Sequence, residues 1–152
     1  MSDYVASVIW TRGDQVFTDN RYGRGHLWRF DGGAEVPASS APSSVPLPYS
    51  DASAVDPEEA VVAATSSCHM LFFLSYAAKA GFVVDRYEDQ AVGRMAKDER
   101  GKISLVEIVL RPKIDWVGEG PDEASLEALH HRSHEDCYIA NSLRAEVRVE
   151  GV

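Results

Sequence analysis

The chain has 152 residues, 45% of them hydrophobic, which suits one domain with a true core and no need of covalent staples. A formal net charge of −9 without any basic block excludes a reader of the phosphate backbone, which needs clustered Lys and Arg to displace counterions, so no nucleic-acid partner is expected. The start, Met1-Ser2-Asp3-Tyr4, carries an early acid and no cationic segment leading into an apolar run; a secretory signal is not expected and a cytoplasmic location is.

Tyr4 to Trp10 alternates as a strand, and His26-Leu27-Trp28-Arg29-Phe30 reads as a second, ended by Asp31-Gly32-Gly33. Ala34 to Val55, with Pro37, Pro42, Pro46 and Pro48, reads as one long loop, a length that usually covers a site or wraps a partner. A helix then starts cleanly. Asp56 caps it, Pro57 suits its first position, and Glu58 and Glu59 set negative charge against its positive end. It should run to about Ala80 and stop at Gly81. The stretch Ala60 to Ala78 is long enough to raise the question of a membrane span. Thr65, Ser66, Ser67, His69 and Ser75 interrupt it, however, so a buried central helix is expected and no membrane partner. A helix apolar nearly all round needs cover on most sides, which predicts dimerisation about it.

Two strand-like runs follow, Val83 to Met95 and Ile103 to Ile114, joined by the charged turn Lys97-Asp98-Glu99-Arg100-Gly101-Lys102 and expected to pair antiparallel. Pro121-Asp122-Glu123 opens a helix through about His131, a short helical segment carries Cys137, and Leu143 to Val149 alternates as a last strand. No internal repeat appears. The order strands, helix, strands, helix, strand predicts an α+β fold in a single domain, residues 1–152.

The chain holds two cysteines, Cys68 in the apolar helix and Cys137 in His134-Glu135-Asp136-Cys137-Tyr138-Ile139-Ala140-Asn141. In a reducing compartment a lone pair is more often catalytic, redox-sensing or metal-binding than structural, and we expect the two to meet as a redox pair. A thiol acts as a nucleophile only when ionised, and at a pKa of about 8.5 only a few per cent is ionised at neutral pH. Cys68 lies about three turns from the helix start, beyond the roughly one turn over which the dipole acts, so a cation from elsewhere is required. The arginines of Asn20-Arg21-Tyr22-Gly23-Arg24-Gly25-His26 are the candidates, Arg24 first and Arg21 second. Glu58 stands ten residues before Cys68, about 15 Å of helical rise away and on another face, so any role must come through a second chain or through an arginine that it orients. Glu58 and Glu59 also read simply as complements of the helix dipole, and Cys68 as a small buried hydrophobe.

The segments Asp56-Pro57-Glu58-Glu59 and Ala63-Ala64-Thr65-Ser66-Ser67-Cys68, followed by Cys137 and Ala140-Asn141-Ser142-Leu143 leading into a last strand, resemble the OsmC/Ohr family of osmotically inducible and organic hydroperoxide resistance proteins. The resemblance covers Asp56 to Val149. It implies an intertwined homodimer with antiparallel sheets wrapped around long central helices and sites at the subunit interface, and a thiol peroxidase cycle without a cofactor. By position, Cys68 resembles the peroxidatic cysteine, Cys137 the resolving cysteine, and Glu58 the glutamate that pairs with the thiolate-stabilising arginine. The partners so implied are an organic hydroperoxide, or hydrogen peroxide, and an external dithiol such as a lipoyl or thioredoxin-like protein. Met70, Leu71, Phe72 and Phe73 could line an apolar pocket or be simple core.

Asp56 in place of the usual Asn, His69 after Cys68, Tyr138 where relatives often have Pro, and the Pro/Ser loop mark a divergent subgroup. His69 could hydrogen-bond near the thiolate or be a satisfied polar group at the dimer seam. Two rival readings stand beside the peroxidase. His130, His134 and Cys137 at i, i+4, i+7 spacing, with His131 as a spare, could hold zinc, and the same fold could serve as a non-catalytic binding or redox-sensing protein.

Overall fold

The computed structural model describes residues 1–151. Internal contacts divide the chain into two compact units, Met1–Ala60 and Val61–Val152. In the first, β1 (Ala6–Ile9), β2 (His26–Phe30) and β3 (Glu35–Ala38) make an antiparallel sheet in that order. Strand β3 falls inside the segment expected to be all loop. Pro37 hides it, but β3 is an edge strand, where a residue without an N–H is tolerated. The rest of the segment closes on itself, since the Ser39 amide donates to the Val55 carbonyl at 3.0 Å and the buried Ser39 hydroxyl accepts from the Asp51 amide at 3.0 Å.

Helix α1 (Pro57–Lys79) starts and stops where its signals stand. Asp56 Oδ1 accepts from the Glu59 amide at 2.8 Å and Glu59 Oε2 accepts from the Asp56 amide at 3.4 Å, a reciprocal capping box. At the other end Gly81 takes φ +86, and the amides of Gly81 and Phe82 donate back to Ala78 and Ala77 at 3.1 and 3.0 Å, a Schellman closure that needs the left-handed residue. The helix is long and apolar enough to cross a membrane by length and composition. Its buried residues, Thr65, His69, Phe73 and Ala77, form one stripe at spacing four, whereas Ala63, Ala64, Leu71 and Ala78 are exposed.

The second unit corrects the expected strand pair. Each long run is two strands: β4 (Val83–Asp89) and β5 (Val92–Lys97) on one arm, β6 (Ile103–Leu110) and β7 (Pro112–Val117) on the other. The arms do pair antiparallel throughout, β5 with β6 and β4 with β7, but the ribbon breaks near Ala91 and Arg111 and its halves join different sheets. Asp89 holds the corner: its Oδ1 accepts the Arg111 amide at 2.6 Å and its Oδ2 accepts the Ser66 hydroxyl of α1. Strand β8 (Glu146–Val149) joins β6 in parallel, so the sheets are not purely antiparallel. Glu107 on β6 accepts from Arg94 on β5 and, at 2.6 Å, from Arg148 on β8, tying all three strands at one point.

Helix α2 (Glu123–Asp136) opens at the expected segment, with Asp122 as its cap accepting from the Ser125 amide at 2.8 Å, and runs more than a turn past the expected end. Helix α3 (Tyr138–Ser142) follows at once. Cys137 lies in neither helix. With φ −65 and ψ 108 it is the C-cap of one and the N-cap of the other, which corrects the expectation that a short helix carries it.

Two apolar clusters hold this unit. Phe73, Ala77 and Leu129 pack with Tyr87, Ile114 and Trp116, while Ile108, Leu110 and Val147 pack with Val61, Val62 and Leu143. A Cβ added at Gly93 on β5 would lie 2.5 Å from Val62 Cγ2 and 2.9 Å from Leu105 Cδ2, closer than side chains tolerate. Gly93→Ala is therefore expected to cost about 1–3 kcal/mol through overpacking, read as a lower urea midpoint. A midpoint equal to wild type would mean that α1 is free to move off the sheet.

Candidate functional site

Cys68 sits mid-helix on α1, half-buried, and Cys137 lies beside it at the α2–α3 junction, 1% exposed. The sulfurs are near enough for the Cys68 thiol to act on Cys137, and both are free thiols. Burial pushes the Cys137 thiol up to about 11; the amides of Ala140 and Ile139 pull it down in part, and Cys68 adds to the rise. Cys137 is thus protonated at neutral pH. Its Sγ accepts from the Ala140 amide at 3.4 Å, so the sulfur serves as the side-chain cap of α3. Phe72, one turn along α1 from Cys68, meets the ring of Tyr138 edge-on at 5.1 Å and 90°. Tyr76 stacks on Phe72 at 6.2 Å and donates its hydroxyl to Asp136. Each cysteine therefore has an aromatic neighbour, and the two aromatics touch. Of the expected apolar lining, Phe73 is core, Phe72 flanks the pair and Leu71 is exposed.

Beneath the cysteines lies a polar layer. His69, fully buried, brings Nε2 within 3.0 Å of Nδ1 of His130, itself 3% exposed, the rings parallel at 5.3 Å. His69 Nε2 thus finds its partner inside its own chain. Desolvation lowers both to about 4, with His130 and His134 adding to the fall at His69 and Asp89 opposing it at His130, so both imidazoles are neutral at physiological pH. His69 Nδ1, His134 Nδ1 and the Tyr87 hydroxyl are buried without a hydrogen-bond partner, and burial raises Tyr87. This layer was missed in the sequence. The available signal was that His69 falls on the Thr65-Phe73 stripe and His130 on the Leu126-Leu129-Ser133 stripe, so two buried imidazoles had to find each other.

The zinc spacing does not survive as geometry. No group of three His, Cys, Asp or Glu side chains able to hold a metal occurs among the described residues.

In the first unit Arg21 donates from Nε to the Tyr49 hydroxyl at 2.8 Å. Arg24 folds back on its own loop, donating to the Asn20 carbonyl at 3.0 Å, to Asn20 Oδ1 at 2.9 Å and to the Tyr22 carbonyl, with its guanidinium 3.8 Å from the Tyr22 ring centre. Asn20 accommodates this with φ 60, tolerated by an Asn. Glu58 stands half-buried in the first turn of α1, while Glu59 is committed to the cap.

Comparison with curated proteins finds no match. Among solved structures, an OsmC-like protein of unknown function from Vibrio cholerae O1 biovar eltor str. N16961 is 51% identical, with 99% of each chain covered and a TM-score of 0.96. An organic hydroperoxide resistance protein OsmC from Legionella pneumophila is 16% identical (98% of this chain, 97% of that one, TM-score 0.69), and the organic hydroperoxide resistance protein OhrB of Bacillus subtilis is 17% identical (98% and 97%, TM-score 0.66); at such identities the likeness is one of fold. The family model described as OsmC-like protein matches residues 50–151, the segment that holds both cysteines, and the chain belongs to that family.

Proposed function

We propose that this protein is a thiol-dependent peroxidase that reduces organic hydroperoxides through a Cys68 sulfenic acid and a Cys68–Cys137 disulfide. The observation that carries the reading is the meeting of the chain's two thiols in unequal settings, one half-buried and the other buried and held protonated. Cys68 as thiolate attacks the peroxide, the O–O bond breaks, and the alcohol leaves with a proton. Cys137 then condenses with the sulfenic acid, forming the disulfide and releasing water. An external dithiol of lipoyl or thioredoxin-like type restores both thiols by exchange. Arg24 or Arg21, oriented by Glu58, supplies the positive charge for the thiolate. Phe72 and Tyr138 favour an organic substituent over a second hydroxyl. The exposed apolar positions of α1, Leu71 among them, are the surface on which a second copy packs in the homodimer we propose.

Consumption of cumene hydroperoxide and of hydrogen peroxide, with dithiothreitol or dihydrolipoamide as reductant, tests the reading. Turnover with kcat/KM higher for the organic peroxide is expected. Absence of turnover with every dithiol would leave the binding or sensing role on the same fold.

A further inference from the structure

We propose that α3 is a redox-operated cover: capped by the Cys137 sulfur while the thiols are reduced, it loses its cap when the disulfide forms and comes away from Phe72, opening the disulfide to the reductant. This rests on the peroxidase reading above and concerns the regulation of the same site.

Cys68 is fixed in the interior of a 23-residue helix, whereas Cys137 sits at a junction between helices with non-helical backbone. When two separate thiols contract to a bond of about 2.05 Å, the movable residue supplies the motion, and that is Cys137. Its Sγ accepts the Ala140 amide at 3.4 Å, so motion toward Cys68 withdraws the acceptor. A helix of five residues has no stability of its own, because nucleation costs more than so few bonds return. Without the cap, α3 keeps the Asn141 amide on the Cys137 carbonyl at 3.0 Å, from the same moving residue, the Leu143 amide on the Ala140 carbonyl at 3.3 Å, and the side-chain bonds of Asn141 to Glu135 and Ser142 to Tyr138, while Ala140 and Leu143 pack on the Ile108–Leu110–Val147 cluster, so it is the Tyr138 end that comes away. Tyr138, 71% exposed, opens α3 and touches α1 through its edge contact with Phe72, which yields readily once the cap is gone.

The cover resolves a conflict in the cycle. Cys137 is 1% exposed, which shields the resolving thiol from stray oxidation, yet exchange requires the external thiolate to reach a sulfur. An opening that follows only from oxidation exposes the bond only when there is one to reduce. The chemistry balances with the peroxide as oxidant: two S–H protons and two electrons leave the cysteines, the S–S bond forms, the O–O bond breaks, and the oxygens depart as alcohol and water.

Hydrogen–deuterium exchange of the full chain, reduced and then treated with one equivalent of cumene hydroperoxide, tests this, with intact mass counting the two hydrogens lost. Peptides covering Tyr138–Leu143 are expected to exchange at least about fivefold faster after oxidation, the scale of a lost N-cap, and to recover with dithiothreitol. Cys68→Ser treated alike should show no change. Unchanged protection despite a disulfide proved by mass would overturn the cover. A mass showing no disulfide would instead fail the peroxidase reading. Cys137→Ala decides the cap without any oxidant: fast exchange at Tyr138–Leu143 in the reduced variant is expected, wild-type protection would overturn the proposal, and Cys137→Ser, whose hydroxyl caps, should stay protected.

Discussion

Cys68→Ser is expected to lower peroxide turnover by at least about a thousandfold, to background, because a serine hydroxyl does not ionise in the accessible range and the attacking species is the thiolate. Cys137 cannot take over. Held up at about 11, it offers a thiolate fraction on the order of one in ten thousand at neutral pH, and its sulfur is buried. Cys137→Ser should behave differently, consuming one equivalent of peroxide and stopping at a Cys68 sulfenic acid that a dimedone-type probe labels, seen as an adduct by mass. The two variants therefore separate the roles, and an adduct on Cys137 in the Cys68→Ser protein, with none on Cys68 in the Cys137→Ser protein, would reverse them.

Acidification is expected to unfold the protein in a window set by the buried imidazoles. His69 and His130 lie near 4 in the folded state against about 6.5 when unfolded, so the unfolded chain takes up protons first. Their contribution is complete above about pH 6.5, falls as pH drops toward 4, and changes no further below that. Each costs about 1.4 kcal/mol per pH unit within the window, so roughly 4 kcal/mol is lost from both by pH 5. The carboxylates that Ser53, Ser125, Arg100 and Arg111 hold below their usual range, on Asp51, Asp122, Asp98 and Glu150, act at lower pH and lie at the surface. Urea midpoints measured between pH 7 and 4.5 should show the slope, and the double variant His69→Leu/His130→Leu should flatten it. A wild-type slope of zero would mean that both imidazoles take up protons in the folded state as readily as in the unfolded chain.

Local signals read well where one rule governs. The start of α1 at Asp56-Pro57 and its stop at Gly81 are matters of caps and dipole within one turn, and both stand in the structure. That Cys68 and Cys137 stand as neighbours was legible because a chain with two thiols, each in a distinctive segment, leaves one partner for each. The breaks in the ribbon were not. Alternation continues across Asp89-Gln90-Ala91 and Arg111-Pro112, and only the three-dimensional fact that Asp89 can cap the freed Arg111 amide lets the strands change sheets there. The histidine layer escaped for a related reason: each imidazole looked like an interruption of an apolar stripe, and its partner lay in another helix.

The ribbon also decides where this fold can change length. At its tip, Asp98 accepts the amides of Arg100 and Lys102 at 2.9 Å and nothing beyond the turn depends on the count of residues, so insertions there lengthen an exposed loop and leave both sheets intact. At the Asp89–Arg111 corner one added residue shifts the register and turns every following side chain to the opposite face, carrying the partners of Phe73 outward. Variation in length among descendants of this sequence therefore has an outlet at one end of the ribbon and none at its bend.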